Sequence, residues 1–477
     1  MKIVLTHGYF LLEDPKEKLI MRPYPPLGIL YVSAYLDQHG YNHEVFDTTF
    51  SSQEKLKTYL LEEKPEVVAF YVNLMTKLNV LNLIQFIREH RELDHTKVIL
   101  GGPDVRYNAE NLLRNGASFL VIGEGEESFL ELVQNIEKGP EADYASIDGI
   151  AYIDDKDVFQ QNGERTKIRE INELPVPNRD KINLHLYLDA WKSHHGQSAL
   201  SVSTMRGCPY TCKWCSRAVY GLSYRRRKPK NVVDELEDIQ RKYNPDTIWF
   251  VDDVFTVNYR WLEQFRDELK ARDVKISYEC ITRADKMNER VVNLLQESGC
   301  FRVWIGAESG SQKVIDLMDR RVSVHKVREM IRLSRKKGIQ AGTFIMLGYP
   351  GETEEDIEET IHHLKTSNPD QFTITVAYPI RGTELFQEVE GLQVADLPWE
   401  TSTDRDIDFQ RTYPRPYYDY AVRRVTNEVN FHKQRLARRA LSWQAFNYKA
   451  RSTAAKIGMW YYRNRSQSPK EFEHHPS

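Results

Sequence analysis

The chain has 477 residues, of which 41% are hydrophobic and 28% charged, so it is long enough for two or more soluble domains. Its formal net charge of −3 does not point to any class of partner. Five cysteines, three of them clustered, and a start without a long apolar stretch predict a reducing, cytoplasmic location. No stretch reaches 18 consecutive apolar residues, so no membrane span is predicted.

The first region, residues 1–137, alternates short apolar strands with helices of 3.6-residue periodicity. We predict strands at 2–6, 43–47, 66–71, 97–100 and 118–122, and helices at 27–39, 53–63, 78–91, 108–115 and 126–136. Five successive βα units predict an α/β, Rossmann-like, doubly wound parallel sheet. Ligands of such sheets bind at the carboxyl ends of the strands.

Polar and glycine-rich turns follow these strands: His7, Asn73, Gly101, Gly102, Gly123 and Glu124. With the turn Pro25-Pro26-Leu27-Gly28, they resemble the cobalamin-binding domain found ahead of many radical S-adenosylmethionine (SAM) cores. The resemblance implies bound cobalamin. The D-x-H-x-x-G signature that supplies a cobalt-ligating histidine is absent, because in Asp37-Gln38-His39-Gly40 the glycine follows at once. His7 and Asn73 are therefore the candidates to face cobalt; the alternative is a purely structural domain.

Residues 138–197 are predicted to form a connector without chemistry. Segments 149–153 and 165–168 are predicted to pair as a hairpin, and 173–178 is a linker with two prolines.

The βα rhythm returns in residues 198–390. Predicted strands are 199–204, 246–251, 274–279, 301–305, 341–346 and 372–377, and helices between them are 232–243, 259–271, 289–298, 324–337 and 354–366. Six such units predict a partial (βα)6 barrel, with its chemistry on the loops after the strands.

Cys208, Cys212 and Cys215 form a C-x3-C-x2-C cluster in the loop after the first of these strands. Three thiolates hold three irons of a [4Fe–4S] cube and leave the fourth open. The alternatives are a disulfide or a zinc site, but zinc requires a fourth ligand, and His194 and His195 lie at a loose distance. The spacing resembles the radical SAM signature, which implies that the open iron binds the amino and carboxylate groups of SAM.

The ends of the later strands resemble SAM-binding elements. The resemblance implies contacts to the ammonium from Asp252 and Asp253, to the carboxylate from Arg283, to the ribose or sulfonium from Glu308 beside Ser309, and to the adenine from Tyr378. Two interpretations of the run Arg225-Arg226-Arg227-Lys228 stay open, neutralisation of an acidic group or a solvated loop, and the loop is favoured. Cys280 and Cys300 are predicted to be small core residues.

Residues 391–477 are predicted to be a helical tail. Between 421 and 465 there are 11 Lys or Arg residues and one acid, Glu428. Val425, Val429, His432, Leu436, Ala440 and Trp443 fall on one helical stripe. Two interpretations remain: a basic helix on an anionic membrane surface, or a helix packed on the barrel. Nucleic acid is not expected, since no reading module is visible.

Residues 1–390 together resemble the cobalamin-binding-domain radical SAM group, which includes anaerobic protoporphyrin-ester cyclases and P-methylases. The resemblance implies SAM cleavage to a 5′-deoxyadenosyl radical and an electron donor such as flavodoxin or ferredoxin. The leading hypothesis is a methyltransferase acting on an unactivated carbon or phosphorus. A cyclase or oxidoreductase for a porphyrin-like or lipid substrate follows, and a cobalamin or Fe–S sensor is third. The substrate is expected to be a small, hydrophobic molecule.

Overall fold

The computed structural model describes residues 1–439 and 441–463. The N-terminal half contains β1 (Ile3–His7), α1 (Pro15–Ile20), α2 (Leu27–Gln38), β2 (Glu44–Phe46), α3 (Gln53–Glu63), β3 (Val67–Tyr71), α4 (Lys77–Glu89), β4 (Lys97–Gly101), α5 (Ala109–Arg114), β5 (Phe119–Val121), α6 (Gly125–Glu137), β6 (Ile150–Ile153), β7 (Phe159–Gln161) and α7 (Leu184–His195).

The remainder contains β8 (Ala199–Val202), β9 (Met205–Arg206), β10 (Arg225–Arg226), α8 (Pro229–Tyr243), β11 (Thr247–Phe250), α9 (Tyr259–Ala271), β12 (Tyr278–Thr282), α10 (Glu289–Glu297), β13 (Cys300–Glu308), α11 (Gln312–Leu317), α12 (Val324–Lys336), β14 (Gln340–Leu347), α13 (Glu354–Ser367), β15 (Gln371–Val376), α14 (Glu384–Val389), α15 (Arg415–Leu436) and α16 (Trp443–Arg463).

The first sheet has seven strands in the order β2-β1-β3-β4-β5-β6-β7. Strands β1 to β5 are parallel, as predicted, and their apolar side chains are buried against helices on both faces. The strand order reverses at β1, which has β2 on one side and β3 on the other. A doubly wound sheet opens a crevice for a ligand at such a point.

The predicted hairpin in the connector is wrong in its second strand. β6 pairs with Phe159–Gln161 and not with 165–168, because the Asp154 carboxylate accepts from the amides of Lys156 and Val158 and closes a short turn. Arg165 is instead held along α6 by Glu127 and Glu131. Both β6 and β7 join the first sheet as antiparallel strands, so this sheet extends beyond the predicted boundary at residue 137.

The second sheet has six parallel strands in sequential order, β8-β11-β12-β13-β14-β15, which is the predicted partial (βα)6 barrel. Its third strand begins at Tyr278, four residues later than predicted, since the Tyr278 hydroxyl bonds to Ser298 and its ring packs on Phe250. The shift places Cys280 inside the strand. Both Cys280 and Cys300 are buried in the core, as predicted.

The tail forms two antiparallel helices, α15 and α16, instead of one. Val425 and Val429 on α15 are fully buried, and Glu428 accepts from Lys365 on α13 and from Lys449 and Ser452 on α16. The packed-helix interpretation therefore holds for α15. Of the residues in the predicted tail helix, Ala440 and 464–465 lie outside the described residues. No helix within the described ranges is long and apolar enough to span a membrane.

The two sheets are joined by direct contacts. Tyr187 on α7 donates to Asp47 after β2, and the Trp191 indole donates to the Pro23 carbonyl at 2.7 Å. On another side of the molecule, the Lys77 ammonium donates to the carbonyls of Trp399 and Ser402. These contacts fix the carboxyl ends of β1 to β5 against the loops of the barrel.

Candidate functional site

The cysteine loop connects β9 to β10. Asp252, at the end of β11, is buried and accepts from Thr204 N at 2.7 Å, from the Thr204 hydroxyl and from Met205 N, which fixes the start of the loop. Gly207 follows with φ +82°, where a Cβ atom would lie 2.6 Å from the Ser223 carbonyl oxygen. Only glycine fits there. Asp252 therefore shapes the loop, and it also lines the cleft beside the cysteines, so its predicted contact with the SAM ammonium stays a prediction.

The Cys212 thiol lies in a cationic environment. It is buried and accepts hydrogen bonds from Arg283 Nη1 at 3.4 Å and from Arg320 Nη1 at 3.7 Å. Two guanidinium groups beside this sulphur supply positive charge where an anionic cluster would sit. The donor set of three cysteines and two guanidinium groups therefore suits an anionic iron–sulfur cluster.

The pKa values of Cys208 and Cys215 are raised in the metal-free protein. Burial raises the pKa of Cys208, and the Asp253 carboxylate and the Cys212 sulphur raise it further. The pKa of Cys215 is raised to about 12, first because the surrounding protein excludes water and then because Asp253 and the other two thiols lie near. Metal must displace these protons to bind, so iron binding and thiolate formation occur together.

The structure shows neither a disulfide nor a preformed zinc site. All five cysteines are free, so the three thiols form no disulfide. Within the part of the chain that the structure describes, no group of three or more His, Cys, Asp or Glu side chains, the three cysteines included, is already arranged around one metal ion. His195 on α7 points to the carbonyls of Ile20 and Met21 instead of the cysteine loop.

Arg283 makes three hydrogen bonds within the protein. Its Nε donates to Asp285 at 2.9 Å, its Nη1 to the Cys212 sulphur and its Nη2 to the Arg320 carbonyl at 2.6 Å. The guanidinium also stacks 4.0 Å from the centre of the Tyr210 ring. Arg283 therefore supports the cysteine loop, and its contact with the SAM carboxylate stays a prediction.

Glu308 ends β13 in a strained conformation. Its backbone φ angle is +63°, which is unusual for a residue other than glycine. The pairing of β13 with β14 also shifts register between Gly306 and Glu308. Its Oε1 lies 3.4 Å from Arg320 Nη2, and burial raises its pKa. The strain and the buried charge agree with a binding role at the end of this strand. The neighbouring Ser309 does not face the cleft beside the cysteines. Its hydroxyl hydrogen-bonds to the Thr360 hydroxyl and accepts from Ser311 N inside the core.

Asp253 is the carboxylate that reaches the site from β11. It lines a cleft of about 960 Å³ together with Cys208, Cys215 and Ser203. Burial and the adjacent Asp252 raise its pKa. Tyr378 is half-buried at the end of β15 and is not among the residues that line this cleft.

A second cleft, also of about 960 Å³, lies over the carboxyl ends of β1, β3, β4 and β5. Its walls are mainly apolar, and the predicted Gly101, Gly102, Gly123 and Glu124 line it. Gly102 has φ +113°, and a Cβ atom there would lie 2.5 Å from the Val72 carbonyl oxygen. The turn thus keeps the backbone close to the cleft, and the apolar walls fit a cobalamin tail.

The two residues predicted to face cobalt are both engaged elsewhere. His7 Nε2 bonds to Asp47 at 3.0 Å, and its Nδ1 bonds to the Thr48 hydroxyl at 2.7 Å. The Asn73 side-chain oxygen accepts from the amides of Met75 and Thr76 and closes the turn before α4. Neither residue is among those lining the two clefts, and a cobalt-facing role stays a prediction for both.

The two clefts share part of their walls. Gly28, Tyr31, Val219 and Tyr220 line both. Arg206, directly before Gly207-Cys208, stacks on the rings of Tyr31 and Tyr220 and pairs with Glu124 and Glu126. Arg206 was not predicted as a site residue, although its position two residues before the first cysteine indicates a place near the cluster.

The basic run after the cysteine loop is largely buried. Arg225 donates to Glu124 and to the Ile168 carbonyl, Arg226 stacks 3.5 Å from the centre of the Trp261 ring, and Arg227 pairs with Glu235. Only Lys228 is exposed. The favoured interpretation as a solvated loop is therefore wrong for the three arginines.

Comparison with known proteins agrees with this arrangement. Residues 202–364 match the radical SAM superfamily, and residues 21–133 match the B12 binding domain. An uncharacterised methyltransferase of Pyrococcus horikoshii is 29% identical over 374 residues, which are 76% of this chain and 78% of that protein. An anaerobic magnesium-protoporphyrin IX monomethyl ester cyclase of Rubrivivax gelatinosus is 25% identical over 77% of this chain and 66% of its own length.

The fold also matches a solved structure. The radical S-adenosylmethionine methyltransferase TsrM from Kitasatospora setae, with cobalamin and a [4Fe–4S] cluster bound, superposes with a TM-score of 0.68 at 18% identity. The match covers 85% of this chain and 79% of that one. The chain thus joins an N-terminal B12 binding domain to a radical SAM domain, a combination that supports a cobalamin radical SAM enzyme.

Proposed function

We propose that the protein is a cobalamin-dependent methyltransferase that acts on an unactivated carbon or a phosphorus atom of a small, hydrophobic molecule. The observation that carries the proposal is the shared wall of the two clefts, formed by Gly28, Tyr31, Val219 and Tyr220. A methyl carrier over the first sheet and SAM at the cysteine loop would be neighbours across this wall. Transfer of a methyl group from SAM to cobalamin and on to a substrate requires that these sites lie close together.

A radical cyclase or oxidoreductase acting on a porphyrin-like or lipid substrate is the second candidate. The Rubrivivax relative, named as a cyclase, favours it, whereas the Pyrococcus relative and the TsrM structure carry the name methyltransferase. A non-enzymatic sensor is the third candidate. It explains less, because sensing does not require two ligand clefts that share a wall. Flavodoxin or ferredoxin is proposed as the electron donor, and contact with a membrane surface through the tail belongs to the same proposal.

The cluster would be held by Cys208, Cys212 and Cys215, with Arg283 and Arg320 compensating its negative charge. When bound, the cluster supplies an electron to SAM and cobalamin supplies a carrier for its methyl group. Asp253 and Glu308 are the carboxylates proposed to hold the SAM ammonium and ribose. The apolar walls of the second cleft, over the first sheet, would limit the access of water to the reacting groups.

Cys208→Ala, Cys212→Ala and Cys215→Ala should each lose the cluster and SAM cleavage, because each thiolate holds a different iron. Iron content, visible absorbance and 5′-deoxyadenosine release measure the effect after anaerobic reconstitution. Cys280→Ala and Cys300→Ala are the matched controls, since both residues lie in the core away from the loop. A full cluster in Cys212→Ala would refute the assignment.

Asp253→Asn and Glu308→Gln should weaken SAM binding by about 1.5–3 kcal/mol each, the contribution of a charge-assisted hydrogen bond, with iron content unchanged. Arg283→Gln should behave differently and lower iron content as well, because its guanidinium donates to the Cys212 sulphur. Equilibrium binding of SAM and iron analysis separate the two effects. The exposed Glu62→Gln serves as control. Unchanged SAM affinity in both carboxylate variants would show that the pocket lies elsewhere.

Ala69→Phe should abolish cobalamin binding while the cluster remains, because Ala69 lines the second cleft and the larger ring fills it. Cobalamin retained after desalting gives the measurement. Ala145→Phe, an exposed alanine of the same half, should bind as the unmodified chain does. Since no histidine lines either cleft, bound Co(II) should show no imidazole nitrogen splitting in its electron paramagnetic resonance spectrum. Such splitting, or full binding by Ala69→Phe, would contradict this placement.

The product pattern separates the two leading functions. A methyltransferase uses one SAM for radical formation and another for methyl supply, so 5′-deoxyadenosine and S-adenosylhomocysteine should appear in near-equal amounts. Label from methyl-labelled SAM should enter a product heavier by one methylene, found by incubating the enzyme with extracts of its host. A cyclase would release 5′-deoxyadenosine without stoichiometric S-adenosylhomocysteine. An unlabelled product from the cobalamin-loaded enzyme would decide against methyl transfer.

A further inference from the structure

Helix α16 has two apolar faces. One packs into the molecule through Ala445, Ser452, Ala455 and Met459, all buried. The opposite face carries Trp443, Phe446, Ala450, Ile457 and Trp460, and we call these five residues the outer stripe. Their spacings of three, four, seven and three residues keep them on one side of the helix. The outer stripe runs for roughly 26 Å at 1.5 Å per residue.

The outer stripe is open to solvent in the described structure. Trp443 is 77% exposed, Phe446 63%, Ile457 62% and Trp460 72%. Large apolar side chains at single surface positions are ordinary, but a continuous row along a whole helix marks an interaction surface.

The charges around the outer stripe have one sign. Lys449, Arg451, Lys456 and Arg463 are the only charged residues of α16, and none is acidic. Arg451 flanks the stripe on one side and Lys456 on the other, and both are exposed. At the turn before the helix, Arg435, Arg438 and Arg439 are exposed as well. A partner that covers this face must therefore be apolar in its middle and negative at its edges.

We propose that the outer stripe of α16 docks the enzyme on an anionic lipid surface, with the helix lying flat in the headgroup region. Trp443 and Trp460, near the two ends, have the amphipathic rings that favour this region of a bilayer. The flanking basic side chains extend to the headgroups while their stems cover apolar surface. A second copy of the chain is disfavoured, because stripe-to-stripe packing would place the basic flanks of both copies together.

Flotation of the full, reconstituted chain with lipid vesicles tests whether the outer stripe binds an anionic lipid surface. Binding to vesicles of phosphatidylcholine with phosphatidylglycerol should exceed binding to phosphatidylcholine alone by about tenfold or more, and added salt should weaken it. The double variant Trp443→Ser, Trp460→Ser should lose binding. Leu19→Ser, which removes a leucine that is 86% exposed on α1, should not change it.

A charge variant keeps the test independent of the aromatic residues. Arg451→Glu with Lys456→Glu should lower affinity for the anionic vesicles by about tenfold or more. Iron content and circular dichroism should remain unchanged in all variants, because the altered side chains are exposed. Three results would each overturn the proposal: no flotation at low salt, unchanged binding in both double variants, or a dimer in sedimentation velocity that the tryptophan variant abolishes.

Discussion

The buried ion pairs of Arg206 hold the two ligand clefts in their relative position. The guanidinium donates to Glu124 at 2.8 Å and to Glu126, and all three side chains are almost completely buried. Removing one partner of such a group leaves a charge without compensation, which costs about 3–5 kcal/mol in other proteins. Glu124 follows the glycine turn after β5, whereas Arg206 precedes the first cysteine by two residues. The pairs thus tie the floor of one cleft to the loop of the other.

A second constraint fixes the same loop from the barrel. The Asp252 carboxylate binds the backbone where β8 turns into β9, and Arg226 lies 3.8 Å from it. The cysteine loop therefore begins between an acid from the barrel and two acids from the first domain. Because both ends of this arrangement are buried and charged, the loop cannot shift without exposing an unpaired charge. This rigidity is what a cluster and a neighbouring carrier need to keep a constant distance.

Local patterns predicted most of the elements, because helix and strand periodicity depends on neighbouring residues. Helix α9 was predicted with its observed bounds, and the three cysteines were placed correctly on the loop after β8. The side-chain partners were not predictable in the same way. Arg283 binds the Cys212 sulphur, 71 positions away, and His7 binds Asp47, 40 positions away. A single sequence contains no signal for such pairs. Residues at the predicted strand ends were therefore assigned roles in ligand binding, without knowledge of the hydrogen bonds that they make to other residues of the protein.

In the tail, a break between two helices changes which of the predicted stripe residues are buried. Val425, Val429, His432, Leu436 and Trp443 share one stripe only if the helix continues, but it ends at Leu436 and restarts at Trp443. The restart changes the direction of the chain, so Val425 and Val429 are buried while Trp443 is exposed. The apolar residues of α15 therefore contribute to the core, whereas those on the outer face of α16 remain available to a partner. The phase of each helix relative to the barrel decides which surface it offers.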